Sequence, residues 1–174
     1  MTKSKGSVLF LSSFVCFGAL LAPASRASAS YEMESYANWP GGSEIAAGDY
    51  DSAIARAASG ALRMDAATAL VAATNLCVAY TVKRDLAPAA AACERALALA
   101  RRADTAAGAR LVRGMATAKA LTNRGVLRAV SGDRGGAAAD FRKAAELRGS
   151  SAAPERNLAY LESLPADRLA ATAD

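Results

Sequence analysis

Residues 75–96 have the sequence NLCVAYTVKRDLAPAAAACERA. Within this stretch, Ala89, Cys93 and Ala96 follow one another at steps of four and three, which places them on one face of an α-helix. A second apolar run precedes Asp85, and an Asp at this position caps the start of the following helix. The stretch therefore predicts two helices joined by a tight turn at Asp85.

The same turn recurs along the chain, each time as an Asp four residues before an Ala: Asp49 and Ala53, Asp85 and Ala89, Asp133 and Ala137. Gly48 and Gly132 precede two of these Asp residues, where Gly supplies the left-handed conformation that ends a helix. Arg84 takes that place in the middle turn. We predict a helix after each turn, the first spanning residues 50–62.

An Asn forms a second landmark. Asn75 and Asn123 each lie ten residues before a turn Asp, and Asn157 follows Asn123 at a spacing of 34. A period of 34 is that of the tetratricopeptide repeat. Six residues follow that family's L-G-x2-Y…A-x3-F…A pattern, with Cys in place of Gly and Phe: Leu76, Cys77, Tyr80, Ala89, Cys93 and Ala96.

Over residues 44–164 the chain thus resembles the tetratricopeptide repeat family. The resemblance implies an all-α fold, a right-handed α-solenoid of about three helical hairpins plus a C-terminal capping helix. The chain departs from the pattern at Arg124 and Arg128, where the family has Leu and Tyr. The step from Ala89 to Ala137 is also longer than the period of 34, by an amount that corresponds to nearly four helical turns.

This extra length predicts a long helix that starts near Gly108 and leads into Asn123, with Asp104 and Thr105 in the loop before it. The last helix is expected to end before Pro165. The chain then divides into a leader at 1–29, a poorly ordered segment at 30–43, the repeat domain at 44–164 and a tail at 165–174.

The leader resembles a secretory signal peptide. Lys3 and Lys5 precede an apolar run at 8–22, and small residues that end at Ala29 suit cleavage there. A retained membrane anchor is the alternative, although the run of about 15 residues is shorter than the ~20 that span a bilayer. We expect an exported protein, either periplasmic or secreted, with no membrane-spanning segment after cleavage.

Composition argues against catalysis. The chain has no His, which excludes Ser-His-Asp and Cys-His catalysis and His-containing zinc sites. The hydrophobic fraction of 53% includes 47 Ala, so helix propensity and close helix packing account for much of it. We expect no enzyme activity, cofactor or metal; a hydrolase of unrecognised type stays open.

Two cysteines follow the predicted cleavage point. Cys77 and Cys93 are equally distant from Asp85 and therefore lie level across the hairpin. In an oxidising compartment this predicts a disulfide. The alternative is a pair of buried free thiols that act as small apolar side chains.

In the resembled family, the first helix of each pair lines a concave groove that binds peptides. The resemblance implies seven groove residues: Asn75, Val78, Lys119, Asn123, Val126, Asn157 and Tyr160, with Arg156 beside them in the capping helix. An Asn side chain can bind both the N–H and the C=O of an extended backbone. Local hydrogen bonding within the helices is the alternative. Asn75, Lys119 and Asn123 also partly resemble a clamp for a terminal carboxylate, with Gly42 where a second Asn would be.

Charge suggests a second kind of partner. Residues 83–148 contain 14 Lys and Arg against six Asp and Glu. The predicted function is therefore protein–protein interaction in the cell envelope through the groove, with nucleic acid excluded as a partner. The alternative is an envelope assembly or wall-associated factor whose basic surface at 83–148 binds an anionic polymer.

Overall fold

The computed structural model describes residues 30–61, 65–105, 114–147 and 149–165. The expected start of a helix near Gly108, the leader at 1–29 and the tail beyond residue 165 lie outside this part. Within it, all regular structure is helical, which confirms the all-α class. The seven helices described are α1 Gly42–Ala47, α2 Tyr50–Ala61, α3 Ala66–Val82, α4 Leu86–Thr105, α5 Met115–Val130, α6 Arg134–Ala145 and α7 Ala153–Ser163.

The helices pack in two rows. Each helix contacts the next one in the chain, and α1, α3, α5 and α7 also contact one another in that order. The row of α3, α5 and α7 therefore forms one face, and α2, α4 and α6 lie behind it. Ten of the 17 residues of α3 are buried, because α3 has neighbours on several sides.

Alanine forms the contacts between paired helices, as the spacing predicted. The four positions singled out by the repeat, Ala53, Ala89, Ala96 and Ala137, are all at most 1% exposed, and so is Ala144 on α6. A methyl side chain lets two helix backbones approach closely while it still removes apolar surface from water. The Ala-rich composition is therefore used at helix interfaces.

All three turns contain a residue of positive φ, and the predicted Asp side-chain cap is present at two of them. Gly48, Arg84 and Gly132 all adopt positive φ, at 77°, 61° and 86°. The carboxylate of Asp49 accepts a hydrogen bond from the amide of Ser52, and Asp133 likewise caps α6. Arg84 thus holds a conformation that suits Gly.

The prediction of a loop at Asp104 and Thr105 is wrong, because both residues belong to the last turn of α4. The additional residues of this unit lengthen α4 to 20 residues. Asp104 is buried and accepts a hydrogen bond at 3.0 Å from the amide of Thr117 in the first turn of α5. That amide has no partner within its own helix, so α4 caps α5 across the interface.

The segment at 30–43 also differs from the prediction. We expected it to be poorly ordered, but residues 31–36 lie extended across α7, α5 and α3 and form hydrogen bonds with each of them. Gly42 and Ser43 already belong to α1. No helix in the described part of the chain has both the length and the apolar character needed to cross a membrane.

Candidate functional site

The site begins with three buried Asn side chains on neighbouring helices. Asn75 lies on α3, Asn123 on α5 and Asn157 on α7, and each is at most 1% exposed. A buried carboxamide is costly unless its oxygen and its NH₂ group both find partners. The helices supply none of these partners, since each carboxamide turns to the extended segment that crosses them.

The extended segment at 31–36, which we call the N-terminal strand, satisfies all three carboxamides. Asn157 accepts from the amide of Glu32 at 2.7 Å and donates to its carbonyl at 2.8 Å. Asn123 binds both backbone groups of Glu34 in the same way, with both distances at 2.8 Å. Asn75 accepts from the amide of Tyr36 at 2.9 Å and donates to its carbonyl at 3.3 Å.

The spacing explains why the strand is extended. The three bound residues alternate along the chain, at 32, 34 and 36, while the three Asn come from successive helices of one row. Alternate residues of an extended chain face the same side and are separated by about 6.6 Å. One carboxamide per helix can therefore bind every second residue through its backbone, whatever side chain that residue has.

The face of α3, α5 and α7 that the N-terminal strand crosses is called the groove below. Charged side chains lie at its α7 end. Nε and Nη2 of Arg156 lie 2.7 and 2.6 Å from the two carboxylate oxygens of Glu32. This hydrogen bonding is the largest cause that lowers the pKa of Glu32, and it raises the pKa of Arg156. Glu32 thus stays ionised to more acidic pH than an ordinary Glu, and bidentate pairs of this type fix orientation.

Lys119 supplies charge at the middle of the groove. Its Nζ lies 3.8 Å from a carboxylate oxygen of Glu34 and donates to the carbonyl of Ser35 at 3.4 Å. It also lies 4.7 Å from the centroid of the Tyr36 ring, within the range of a cation–π interaction. Burial is the main cause that raises the pKa of Tyr36.

Aromatic and apolar side chains of the strand pack against the helices. The ring of Tyr31 packs edge-on against Tyr160, with centroids 4.8 Å apart, and stacks near Phe141 at 6.3 Å. Met33 lies against two core clusters, at a cavity of about 350 Å³ that Val78 and Val126 also line. Strand residues that point inward are therefore aromatic or apolar.

The turn after the strand fixes its end. Asn75 donates a second hydrogen bond, at 3.1 Å, to the carbonyl of Pro40. A Cβ at Gly42 would collide with the carbonyl of Tyr36, so no larger residue fits there without movement. Hence Gly42 offers no side chain for a carboxylate clamp; its place is taken by close backbone packing.

All seven groove residues predicted from the sequence meet at this strand. Three bind its backbone, Lys119 and Tyr160 contact its side chains, and Val78 and Val126 line the adjoining cavity. The strand itself was not predicted from the sequence. Its signal was the alternation of apolar and acidic residues in Tyr31-Glu32-Met33-Glu34, with the period of two that a β-like strand has.

The basic region at 83–148 is partly paired with carboxylates. Six of its Lys and Arg residues lie within 4 Å of a carboxylate: Lys83, Lys119, Arg124, Arg128, Arg142 and Lys143. Asp140 is buried and accepts two hydrogen bonds from Arg124, at 2.7 and 2.8 Å, and Arg128 lies 2.9 Å away. The hydrogen bonds to Asp140 are the largest cause that raises the pKa of Arg124.

Comparison with protein-family models, curated proteins and solved structures gave no match. Within the described residues, no three His, Cys, Asp or Glu side chains are grouped so that they could hold a metal ion.

Proposed function

We propose that this protein is a non-catalytic interaction module of the cell envelope, built as a tetratricopeptide-type solenoid, that binds an extended segment of a partner protein. The N-terminal strand occupies the groove in the free protein, and the partner segment replaces it. Paired helices, the period of 34 between Asn123 and Asn157, and the three aligned carboxamides support this reading.

One observation carries the proposal: Asn75, Asn123 and Asn157 each bind the amide and the carbonyl of one strand residue. Backbone groups are common to every peptide, so a groove that recognises them accepts any extended segment whose side chains fit. We expect a partner segment to adopt the same extended geometry as the strand. This is peptide recognition by extended backbone, with adjoining sites for alternate side chains.

The strand belongs to the same chain, so it competes with any partner. When the free groove is only a small fraction of the population, the apparent dissociation constant for a partner rises by the inverse of that fraction. Variants that weaken the strand should therefore tighten partner binding, while variants that damage the groove should weaken it. These opposite signs form the basis of the test.

The test uses the purified protein and a fluorescent peptide, SYEMESYA, with the sequence of residues 30–37. Glu34→Pro removes the amide that Asn123 binds and loosens the strand. Ser35→Pro is the matched control, because its amide is not one that the carboxamides bind. We expect Glu34→Pro to bind the peptide about tenfold more tightly than Ser35→Pro, as measured by fluorescence anisotropy.

Asn123→Leu, added to Glu34→Pro, should abolish that gain, because Leu has a similar volume but binds neither backbone group. Circular dichroism would establish that each variant is folded. Equal affinity of the Glu34→Pro variant with and without Asn123→Leu would overturn the proposal. So would a folded Glu34→Pro variant that binds no peptide.

We rank the groove above the alternative of a basic surface that binds an anionic polymer. Six cations of residues 83–148 already lie beside carboxylates of the same chain. Their charge is partly compensated, which leaves less attraction for a polymer. Polymer binding would weaken steeply between low and high salt, so the salt dependence of binding discriminates between the two.

A further inference from the structure

The groove does more than hold a backbone, because it places two cations beside alternate residues of the strand. Arg156 makes two contacts with the carboxylate of Glu32, and Nζ of Lys119 lies 3.8 Å from that of Glu34. Glu32 and Glu34 are the two strand residues bound through their backbones by Asn157 and Asn123. Backbone recognition and charge recognition thus coincide at the same two positions.

The two residues that alternate with the acids, Tyr31 and Met33, pack on aromatic and apolar side chains. Tyr31 packs against Tyr160 and Phe141, and Met33 packs against the cores of both hairpins. A charged side chain at either position would be removed from water against aromatic and aliphatic groups, which is costly, although Arg84 lines the same cavity. The groove therefore distinguishes an acidic set of positions from an apolar set.

The order of these sites gives the groove a direction. The aromatic site lies at the α7 end, followed by Arg156 and then by Lys119 on α5. A segment that entered in the reverse direction could still bind the carboxamides, but its aromatic residue would lie far from Tyr160. Side chains, rather than the backbone, therefore set the orientation.

We propose that the partner segment is an internal, extended, acidic stretch with the order aromatic–acid–apolar–acid, its N-terminal end at α7. This inference rests on the proposed function and names its partner class. The acids interact with Arg156 and Lys119, and the aromatic residue packs between Tyr160 and Phe141. The strand of the protein itself, Tyr31-Glu32-Met33-Glu34, is the cis copy of this pattern.

Three peptides test the proposal on the Glu34→Pro protein: SYEMESYA, SYQMQSYA and SYKMKSYA. Gln preserves shape and removes charge, and Lys reverses charge. Two partly exposed ion pairs are worth about tenfold in affinity, so the Gln peptide should bind about tenfold more weakly. The Lys peptide, which places like charges opposite Arg156 and Lys119, should lose about a hundredfold.

The matched protein variant is Arg156→Glu/Lys119→Glu in the same background. It should reverse the order, so that the Lys peptide binds more tightly than the Glu peptide. The three carboxamides are untouched in this variant, so their recognition of the backbone is preserved. The hydrogen bond from Lys119 to the carbonyl of residue 35 is lost for all three peptides alike. Higher salt should reduce the differences among the three peptides, because exposed charges are screened.

The outcomes separate the two proposals. If no peptide binds the folded protein, the proposed function fails. If all three bind equally, or the double Glu variant leaves their order unchanged, the groove binds extended segments without regard to charge, and only the acidic partner class is overturned. A reversed order in the double variant supports both.

Discussion

The hairpins α3–α4 and α5–α6 have the same helix–turn–helix arrangement, but different residues hold their two helices together. In the first, Cys77 and Cys93 lie with Cα atoms 4.7 Å apart, within reach of a disulfide. In the second, the corresponding positions hold Gly125 and Phe141, and the ring of Phe141 packs against the bare backbone of Gly125. A cysteine pair at disulfide distance in one hairpin and an aromatic ring packed on glycine in the other thus both accompany a close approach of the two helices.

A second pair of corresponding positions differs in polarity. Leu76 and Ala92 pack with the core of the first hairpin, whereas in the second the half-buried Arg124 forms an ion pair with the buried Asp140. Arg124 also contacts Glu94 of α4 at 2.8 Å, so the ion pair ties three helices together. The two hairpins therefore share the spacing and burial of these positions but not their chemistry.

The largest expected effect comes from breaking the ion pair. Asp140→Ala should lower the free energy of unfolding by about 3 kcal/mol or more, because it removes the buried carboxylate that pairs with both Arg124 and Arg128 and leaves the half-buried Arg124 with Glu94 alone. Arg124→Leu/Asp140→Ala recreates the Leu and Ala of the first hairpin and should lie within about 1 kcal/mol of the wild type. Urea unfolding measures both. If the double variant is as unstable as the single one, the two hairpins are not interchangeable here.

The second largest expected effect on stability comes from removing the predicted disulfide. Cys77→Ala/Cys93→Ala should reduce stability by about 3 kcal/mol, because a bridge across a loop of this length restricts the unfolded chain. Reductant should shift the urea midpoint of the wild type and leave that of the double variant unchanged. Thiol labelling of denatured, unreduced protein gives the direct check. Two reactive thiols would show that the cysteines are free and would contradict the predicted disulfide.

The third largest expected effect on stability comes from the contact between Phe141 and Gly125. In Gly125→Ala the new Cβ would lie 2.5 Å from Cε1 of Phe141, so the ring or the helix must shift. Overpacking of this kind costs about 1–3 kcal/mol. Gly135→Ala on α6 is the matched control, because its Cβ would meet open space and helix propensity should favour it. Equal stability of the two variants would mean that Phe141 can move aside freely.

Much of this comparison was accessible from the sequence. The helix pairing, the Ala contacts and the positions of Asn75, Asn123 and Asn157 followed from spacing alone. Local periodicity records which residues share a face, and helix packing preserves that face.

The segment that binds the three Asn side chains could not be predicted from the sequence. The N-terminal strand is joined to the groove by hydrogen bonds across 39 to 125 residues, and local patterns carry no record of such long-range pairing. Arg124 was noticed only as a departure from the family pattern. Its partner Asp140 lies 16 residues away on another helix. A charge replacing an expected Leu indicates a buried counter-charge, but not which one.

The smallest effect concerns the turns, where Arg84 of the first hairpin corresponds to Gly132 of the second. Arg84 holds φ at 61°, a conformation that costs a residue with a Cβ about 1 kcal/mol. Arg84→Gly removes that strain but adds freedom to the unfolded chain, so we expect a net gain of about 0.5 kcal/mol. Gly132→Ala is the reciprocal variant; its Cβ meets open space, so its cost of about 1 kcal/mol would be purely conformational. Thermal unfolding of both variants should therefore shift in opposite directions. A loss of stability in Arg84→Gly would mean that the Arg side chain contributes contacts that outweigh its backbone strain.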